Sequence, residues 1–319
     1  MVELFKNIKI DWLGKRRIFF VITMALIAIG LVSLLVKGSF RYGVDFKGGT
    51  IAYVRFTDPV SLDRVRELLR EGGIPNSTPE ALLNTGYNDI LVEFEQTAAD
   101  ADVSTGGDLI RNALNSGYQG KFELLNVESV GAKVGADLQR QAVLATLYAL
   151  AGILVYIAFR FEWIYGAAAV FAVFHDTLIT LGFFSLFDRE INLTVIAALL
   201  TLVGYSVNDT IVVFDRVREN LKIRRRDDFE TILNDSINQT LSRTIIASGL
   251  TFLTVLALFL FGGEIINNFA FAMVVGIIIG TYSSIAVAAP LVLLYTKIRG
   301  RVAVVRAPAG KVPRPVKVK

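Results

Sequence analysis

Apolar residues in this chain gather in long unbroken runs. Six stretches reach or approach the ~20 residues that cross a hydrocarbon layer. They are Ile18–Val36, Ala142–Phe159, Trp163–Phe187, Ile191–Phe214, Thr244–Gly262 and Phe269–Tyr295. The second is short at one end, where Gln139 and Arg140 suit an interface. Each run predicts a membrane-spanning helix. Between the first two, from Lys37 to Asp137, the pattern changes. "TIAYVRF" reads as a strand, "DILVEFE" alternates as one, and "KFELLNVESV" reads as a third. "SLDRVRELLREGG" reads as a helix with Ser61 as N-cap and Gly72/Gly73 as its stop, and "STGGDLIRNALNSG" as a second, short one. Strands interleaved with helices predict a small α/β domain with its own core. The expected fold class is an α-helical polytopic membrane protein: a six-span bundle plus a small α/β extracytoplasmic domain.

Between the fourth and fifth runs, residues 222–242 are amphipathic, with Phe229, Ile232, Leu233, Ile237 and Leu241 at helical spacing. Two readings stand: a helix lying on the cytoplasmic membrane surface, or a plain connecting helix. The Gly-Gly of "VDFKGGT" reads as a tight turn into the following strand.

The composition agrees with a membrane protein: 319 residues, 53% hydrophobic, mean hydropathy +0.53. The net charge of +4 raises the question of nucleic acid, but Lys and Arg lie next to the spans rather than on a soluble face, so none is expected. Zero cysteines exclude disulfides, thiolate metal sites and thiol catalysis. No nucleotide loop, metal-ligand cluster or catalytic triad is visible, so neither a cofactor nor enzymatic chemistry is expected. The first apolar run exceeds a signal-peptide core of roughly 7–15 residues and lacks a small-residue cleavage site, which reads as an uncleaved anchor.

Charge sets the threading. Lys6, Lys9, Lys15, Arg16 and Arg17 precede the first span; Arg216, Arg218, Lys222, Arg224, Arg225 and Arg226 follow the fourth; more lie in the tail after Tyr295. The short loops on the other side hold only Arg189. The positive-inside rule then places both termini (1–17 and the basic, Pro-rich tail 296–319) in the cytoplasm and residues 37–137 in the periplasm. Residues 138–295 carry spans two to six.

A charge near the bilayer centre costs at least ~2.5–3.5 kcal/mol, so intramembrane polar groups are functional candidates. "GYSVNDTIVVFDRVREN" sets Asp209 inside the fourth run, roughly 7–8 Å from its cytoplasmic end at 1.5 Å per residue. Asp215, Arg216 and Arg218 mark the edge of that run. Arg243 opens the fifth span in the same leaflet; pairing with Asp209 and snorkelling to headgroups both fit. His175 and Asp176 sit midway along the third span. As neighbours they are about 100° apart on a helix and cannot face one partner squarely. Ser206, Asn208 and Thr210 are placed to support Asp209 by hydrogen bonds. A desolvated acid near an arginine can take up and release a proton when their distance or hydration changes. Gly276, Gly280 and Ser284 form a small-residue ladder that permits close helix packing and suggests a bundle packed with a partner.

Taken in order, "VDFKGGT", "AVFHDTLITLG", "GYSVNDTIVVFDRVREN", "LSRTIIASGLTFLTVLALFLFGG" and "GIIIGTYSSIAVAAP" resemble the SecD/SecF family of protein-export membrane proteins, on its SecF side, within the resistance–nodulation–division superfamily. The resemblance covers nearly the whole chain and departs only in the outer domain and tail. It implies a ferredoxin-like outer domain and a bacterial inner-membrane location. It implies a SecD partner, association with the SecYEG channel and YajC, and an exported unfolded polypeptide as cargo. It also implies drive by H⁺ or Na⁺, with ion-coupling roles for Asp209 and Arg243. The alternative is half of a related small-molecule or lipid exporter.

Overall fold

The computed structural model describes residues 9–82, 86–94, 103–160, 163–224 and 226–306. The terminal stretches of the cytoplasmic expectation (1–8 and 307–319) lie outside the described residues. Among the described residues, six helices are long and apolar enough to cross a membrane. The first span is α1 (Arg16–Lys37). After the short α2 (Val44–Lys47) comes the outer domain: β1 (Gly49–Phe56), α3 (Leu62–Glu71), β2 (Thr78–Ala81), β3 (Asn88–Phe94), α4 (Val103–Tyr118) and β4 (Phe122–Val130). Spans two to five are α5 (Ala132–Arg160), α6 (Trp163–Leu186), α7 (Leu193–Ile223) and α8 (Phe229–Phe261). The sixth is α9 (Glu264–Ser283), a π-helical turn (Ser284–Ala288) and α10 (Ala289–Arg306).

The outer domain runs βαββαβ, with an antiparallel sheet ordered β2-β3-β1-β4, the ferredoxin-like arrangement. β1 is central, pairing Val54 with Ile90 of β3 and Phe56 with Phe122 of β4. The period-2 alternation sends Ala52, Val54 and Phe56 of β1, and Val92 and Phe94 of β3, into one core. The helices contribute Val65, Leu69, Ile110 and Leu114 to it. On the other face Arg55 grips its cross-strand neighbour Asp89 with two hydrogen bonds, 2.7 and 2.8 Å. β2 carried no apolar pattern in the sequence. Its "TPEA" includes Pro79, which a sheet tolerates at an edge.

Gly48 (φ 82) and Gly49 (φ 154) take backbone angles that side chains disfavour, and they make the turn from α2 into β1. The root of the domain is then tied to the bundle. Gly135 lets α5 approach so closely that an added Cβ would lie 2.9 Å from the Phe46 carbonyl oxygen. α5 therefore begins well before its apolar run. Tyr42 bridges Ile191 in parallel. The Ile191 amide donates to Arg41 O (2.8 Å) and the Gly43 amide to Ile191 O (2.9 Å). The Leu193 amide, at the start of α7, donates to Asp45 Oδ2 (2.8 Å). With Asn192 capping the Val195 amide, two side chains satisfy two of the orphan donors of the α7 N-terminus.

Burial within the bundle is uneven. Half of the apolar window is buried in the third and fourth spans and 61% in the sixth, against 11% in the first and second and 17% in the fifth. α6, α7 and α9–α10 are thus the protein-facing centre. The small-residue ladder is used inside the chain: side chains at Gly276 and Gly280 would strike Leu202 (2.5 Å) and Ser206 (3.1 Å) of α7. Gly30 and Gly182 let α1 and α6 cross at near contact.

Residues 229–242 are not a separate surface helix. They are the first half of α8, and Ile232, Leu233, Ile237 and Leu241 are buried within the protein. The polar face of this segment binds the chain's own beginning. Asn234 Oδ1 accepts from the Trp12 amide (2.9 Å), Asn238 Oδ1 accepts from Trp12 Nε1 (3.0 Å), and both side-chain amides donate to Ile10 O (2.9 Å each).

Candidate functional site

The apolar interior of the bundle falls into two clusters. On α6 one ends at Val173 and the other begins at Ile179; on the sixth span the break lies between Ile279 and Val287. Polar residues fill both gaps. Asp176, fully buried, is the hub. Its Oδ2 accepts from Ser206 Oγ of α7 (2.5 Å) and Ser283 Oγ of α9 (2.8 Å), and its Oδ1 lies 2.9 Å from His175 Nδ1. Helical spacing puts His175 and Asp176 on different faces, yet their side chains bend together into one unit. His175 is 3% exposed, and its Nε2 has no partner among the described residues. The close approach at Gly280 leaves Ser206 and Ser283 room to share one carboxylate.

One turn further along α7, Asp209 is also buried. Its Oδ2 accepts from Ser248 Oγ of α8 (2.8 Å). Arg243 is exposed and makes no hydrogen bond or ion pair among the described residues, but its charge acts on Asp209 through space. Thr210 bonds back to its own helix at Ser206 O (3.3 Å). Asn208 is exposed and has no partner among the described residues. The residues singled out in the sequence thus divide in two. His175, Asp176 and Ser206 form a closed network, while Asp209, with Arg243 and Asn208 near it, opens toward an uncovered face. Thr201 and Gly204 of α7, and Ala247 and Leu250 of α8, continue that face. Ser248 and Ser283 complete the two sites.

The sixth span breaks beside this network. The π-helical turn begins at Ser284 and ends just before Ala289–Pro290. Pro290 has no amide proton, and its ring crowds the preceding turn, which accounts for the widened helix there. π-helical turns gather at functional sites.

Among the described residues no group of three or more His, Cys, Asp or Glu side chains is arranged to hold a metal. What the two buried carboxylates offer is reversible charge, held at hydroxyl donors inside an apolar bundle.

Fold and site together define a polytopic membrane protein with a transporter-like polar core. The C-terminal family of SecD/SecF protein export membrane proteins matches residues 110–298, and the SecD/SecF GG motif matches residues 32–60. The chain is 41% identical to protein translocase subunit SecF of Koribacter versatilis over all of both chains. It is 46% identical to that of Calditerrivibrio nitroreducens, over 94% of this chain and 99% of the relative. SecDF of Thermus thermophilus, a translocon-associated membrane protein, superposes with TM-score 0.78 at 38% identity. That match covers 91% of this chain and 39% of the SecDF chain. A SecDF structure in a super-membrane-facing form gives 0.69 at 38% identity, over 95% and 41%. This chain spans about two fifths of those SecDF chains. It belongs to the SecD/SecF family, and its relatives make it a protein translocase subunit of the SecF kind.

Proposed function

We propose that this chain is one half of an ion-driven accessory motor of protein export. SecD is the other half; the pair stands beside the SecYEG channel with YajC and acts on emerging unfolded polypeptide. It lies in the bacterial inner membrane with both termini cytoplasmic and the βαββαβ domain outside. Asp209 is the ion-carrying group, taking H⁺ or Na⁺ as the coupling ion, and Arg243 tunes it. His175 and Asp176 with Ser206 hold the neighbouring helices in register.

One observation carries this reading: α7 links a buried carboxylate to the root of the outer domain. In the half of α7 away from that root, Asp209 accepts from one hydroxyl donor among the described residues, Ser248 of α8. At the other end of α7 the Leu193 amide is held by Asp45, within the segment that leads directly into β1. A change of charge on Asp209 alters the packing of α7 against α8, and α7 is anchored to the domain that meets polypeptide. The exposed Asn208 and Arg243 support a partner. Polar and charged groups facing lipid are costly, and a second helical half carrying its own carboxylate would cover them.

Gradient-driven export in vesicles containing the full partner complex tests this, with wild type and Asp209→Asn compared under separate H⁺ and Na⁺ gradients. Asp209→Asn should assemble and lose gradient-dependent export; full export by that variant would sink the proposal.

A further inference from the structure

A crevice of about 720 Å³ opens between α1, α6 and α10. Its walls are apolar: Phe20 and Met24 from α1, Phe174 and Leu178 from α6, Leu291 and Leu294 from α10. Its mouth is cationic, formed by Arg16, Arg17 and Lys297, all exposed. Glu230, at the start of α8, ties two of them together, accepting from Arg16 Nη1 (2.6 Å) and from Lys297 Nζ. One carboxylate against three cations leaves the mouth positive. Arg17 makes no hydrogen bond or ion pair among the described residues.

The dimensions are those of one leaflet. From Arg17 at the mouth to Ile27 at the deep end is ten residues of α1, or about 15 Å at 1.5 Å per residue. That is half of a hydrocarbon core of ~30 Å. His175 also lines the deep end. The charge and the apolar walls therefore belong to one amphipathic ligand oriented along the membrane normal. Its anionic head sits level with the cytoplasmic headgroups and its chain reaches mid-bilayer.

We infer that this crevice is a binding site for an anionic diacyl phospholipid of the cytoplasmic leaflet. The phosphate bridges Arg17 and the Arg16–Lys297 pair, and one acyl chain fills the groove between α1 and the α6–α10 wall. The lipid then covers the flank of the bundle next to His175 and joins the first span, otherwise sparsely buried, to the last. Polar walls would suit a free anion, but below the mouth these walls are apolar except at Thr23 and His175, so the chain is part of what is recognised.

The test is native mass spectrometry of the full chain in complex with its partner subunit, titrated with phosphatidylglycerol or phosphatidylcholine of matched chains. Phosphatidylglycerol should be retained preferentially. Arg17→Gln should lower its retention about fivefold, the change that ~1 kcal/mol per basic residue near a membrane surface corresponds to, and Arg17→Lys should restore it. Leu294→Trp, which fills the groove at an exposed position, should expel the lipid, while thermal stability checks that the fold survives. Excess inorganic phosphate should not compete. Equal retention of the two lipids, an unchanged preference in Arg17→Gln, retention in a folded Leu294→Trp, or full displacement by inorganic phosphate would each overturn the assignment. So would a photo-crosslinker at Met24 that captures the partner subunit in place of lipid.

Discussion

Ser248 of α8 donates its hydroxyl proton to Asp209 of α7 at 2.8 Å, while Arg243, five residues earlier on the same helix, is exposed and makes no hydrogen bond or ion pair among the described residues. The direct ligand of the buried acid is thus a serine, and the arginine acts at a distance. Removing the serine tests whether that contact matters to coupling. Ser248→Ala should leave the complex assembled and lower gradient-driven export about tenfold, the factor matching a hydrogen bond to a charged group of ~1.5 kcal/mol. Ser248→Thr should recover most of it. Vesicle export assays measure both, and undiminished export in the alanine variant would separate Ser248 from the mechanism.

Asp176 has a different place, holding α6, α7 and α9 together at the point where the apolar core is interrupted. Asp176→Ala strands the hydroxyl of Ser206 and the Nδ1 of His175 in a buried site, while Ser283 keeps its bond to Gly280 O (3.1 Å). Each stranded group costs about 1–3 kcal/mol, so a marked drop in thermal midpoint in detergent is expected. Asp176→Asn keeps an acceptor and should lose much less. Equal losses in the two variants would mean that volume, not hydrogen bonding, governs the site.

At the root of the outer domain Glu190 is packed against the Gly43 backbone. Burial pushes its carboxyl up to about 7, with Glu93, Asp45 and Glu80 adding repulsion and Arg41 opposing it. The folded value lies above the ordinary 4.5, so the joint holds a proton that the unfolded chain releases. Its contribution is present in full below 4.5 and is lost as pH rises through about 7. Thermal stability of the purified protein should fall across that window, and Glu190→Gln should flatten the dependence. A variant that keeps the wild-type slope would place the titrating group elsewhere.

The outer domain's stability rests on its own core. Leu114 of α4 is fully buried there, and Leu114→Ala should cost ~2–5 kcal/mol, as large-to-small changes in packed cores do. Hydrogen exchange should show the loss in β1, β3 and β4 and leave the span amides protected. Loss of protection in α7 as well would show that domain and bundle unfold as one unit.

Much of this arrangement was legible in the sequence because it rests on periodicity and cost. Apolar runs and alternating strands carry their own pattern, and an acid inside a span stands out because burying it is expensive. Ser248 escaped notice for the opposite reason. Hydroxyls are cheap in membrane helices because they bond back to their own turn, as Thr177, Thr201 and Thr254 do here. No local feature distinguishes a serine facing a carboxylate from those. β2 lacked an apolar face to announce it. The early start of α5 depends on Gly135 meeting a distant loop, which no window of sequence contains. The amphipathic start of α8 was readable as amphipathic, but whether its apolar side meets lipid or protein is decided by α7 and α10.

The widened turn at Ser284–Ala288 gives the last span a spare residue. If that turn tightened to α geometry, everything beyond it would rotate by about 100°, one residue's step in a helix of 3.6 per turn. Lys297 would swing away from Glu230 while Ser283, upstream, stayed at Asp176. The C-terminal end of the span could therefore be re-indexed like a dial, one click at a time, with the polar hub as its fixed pivot.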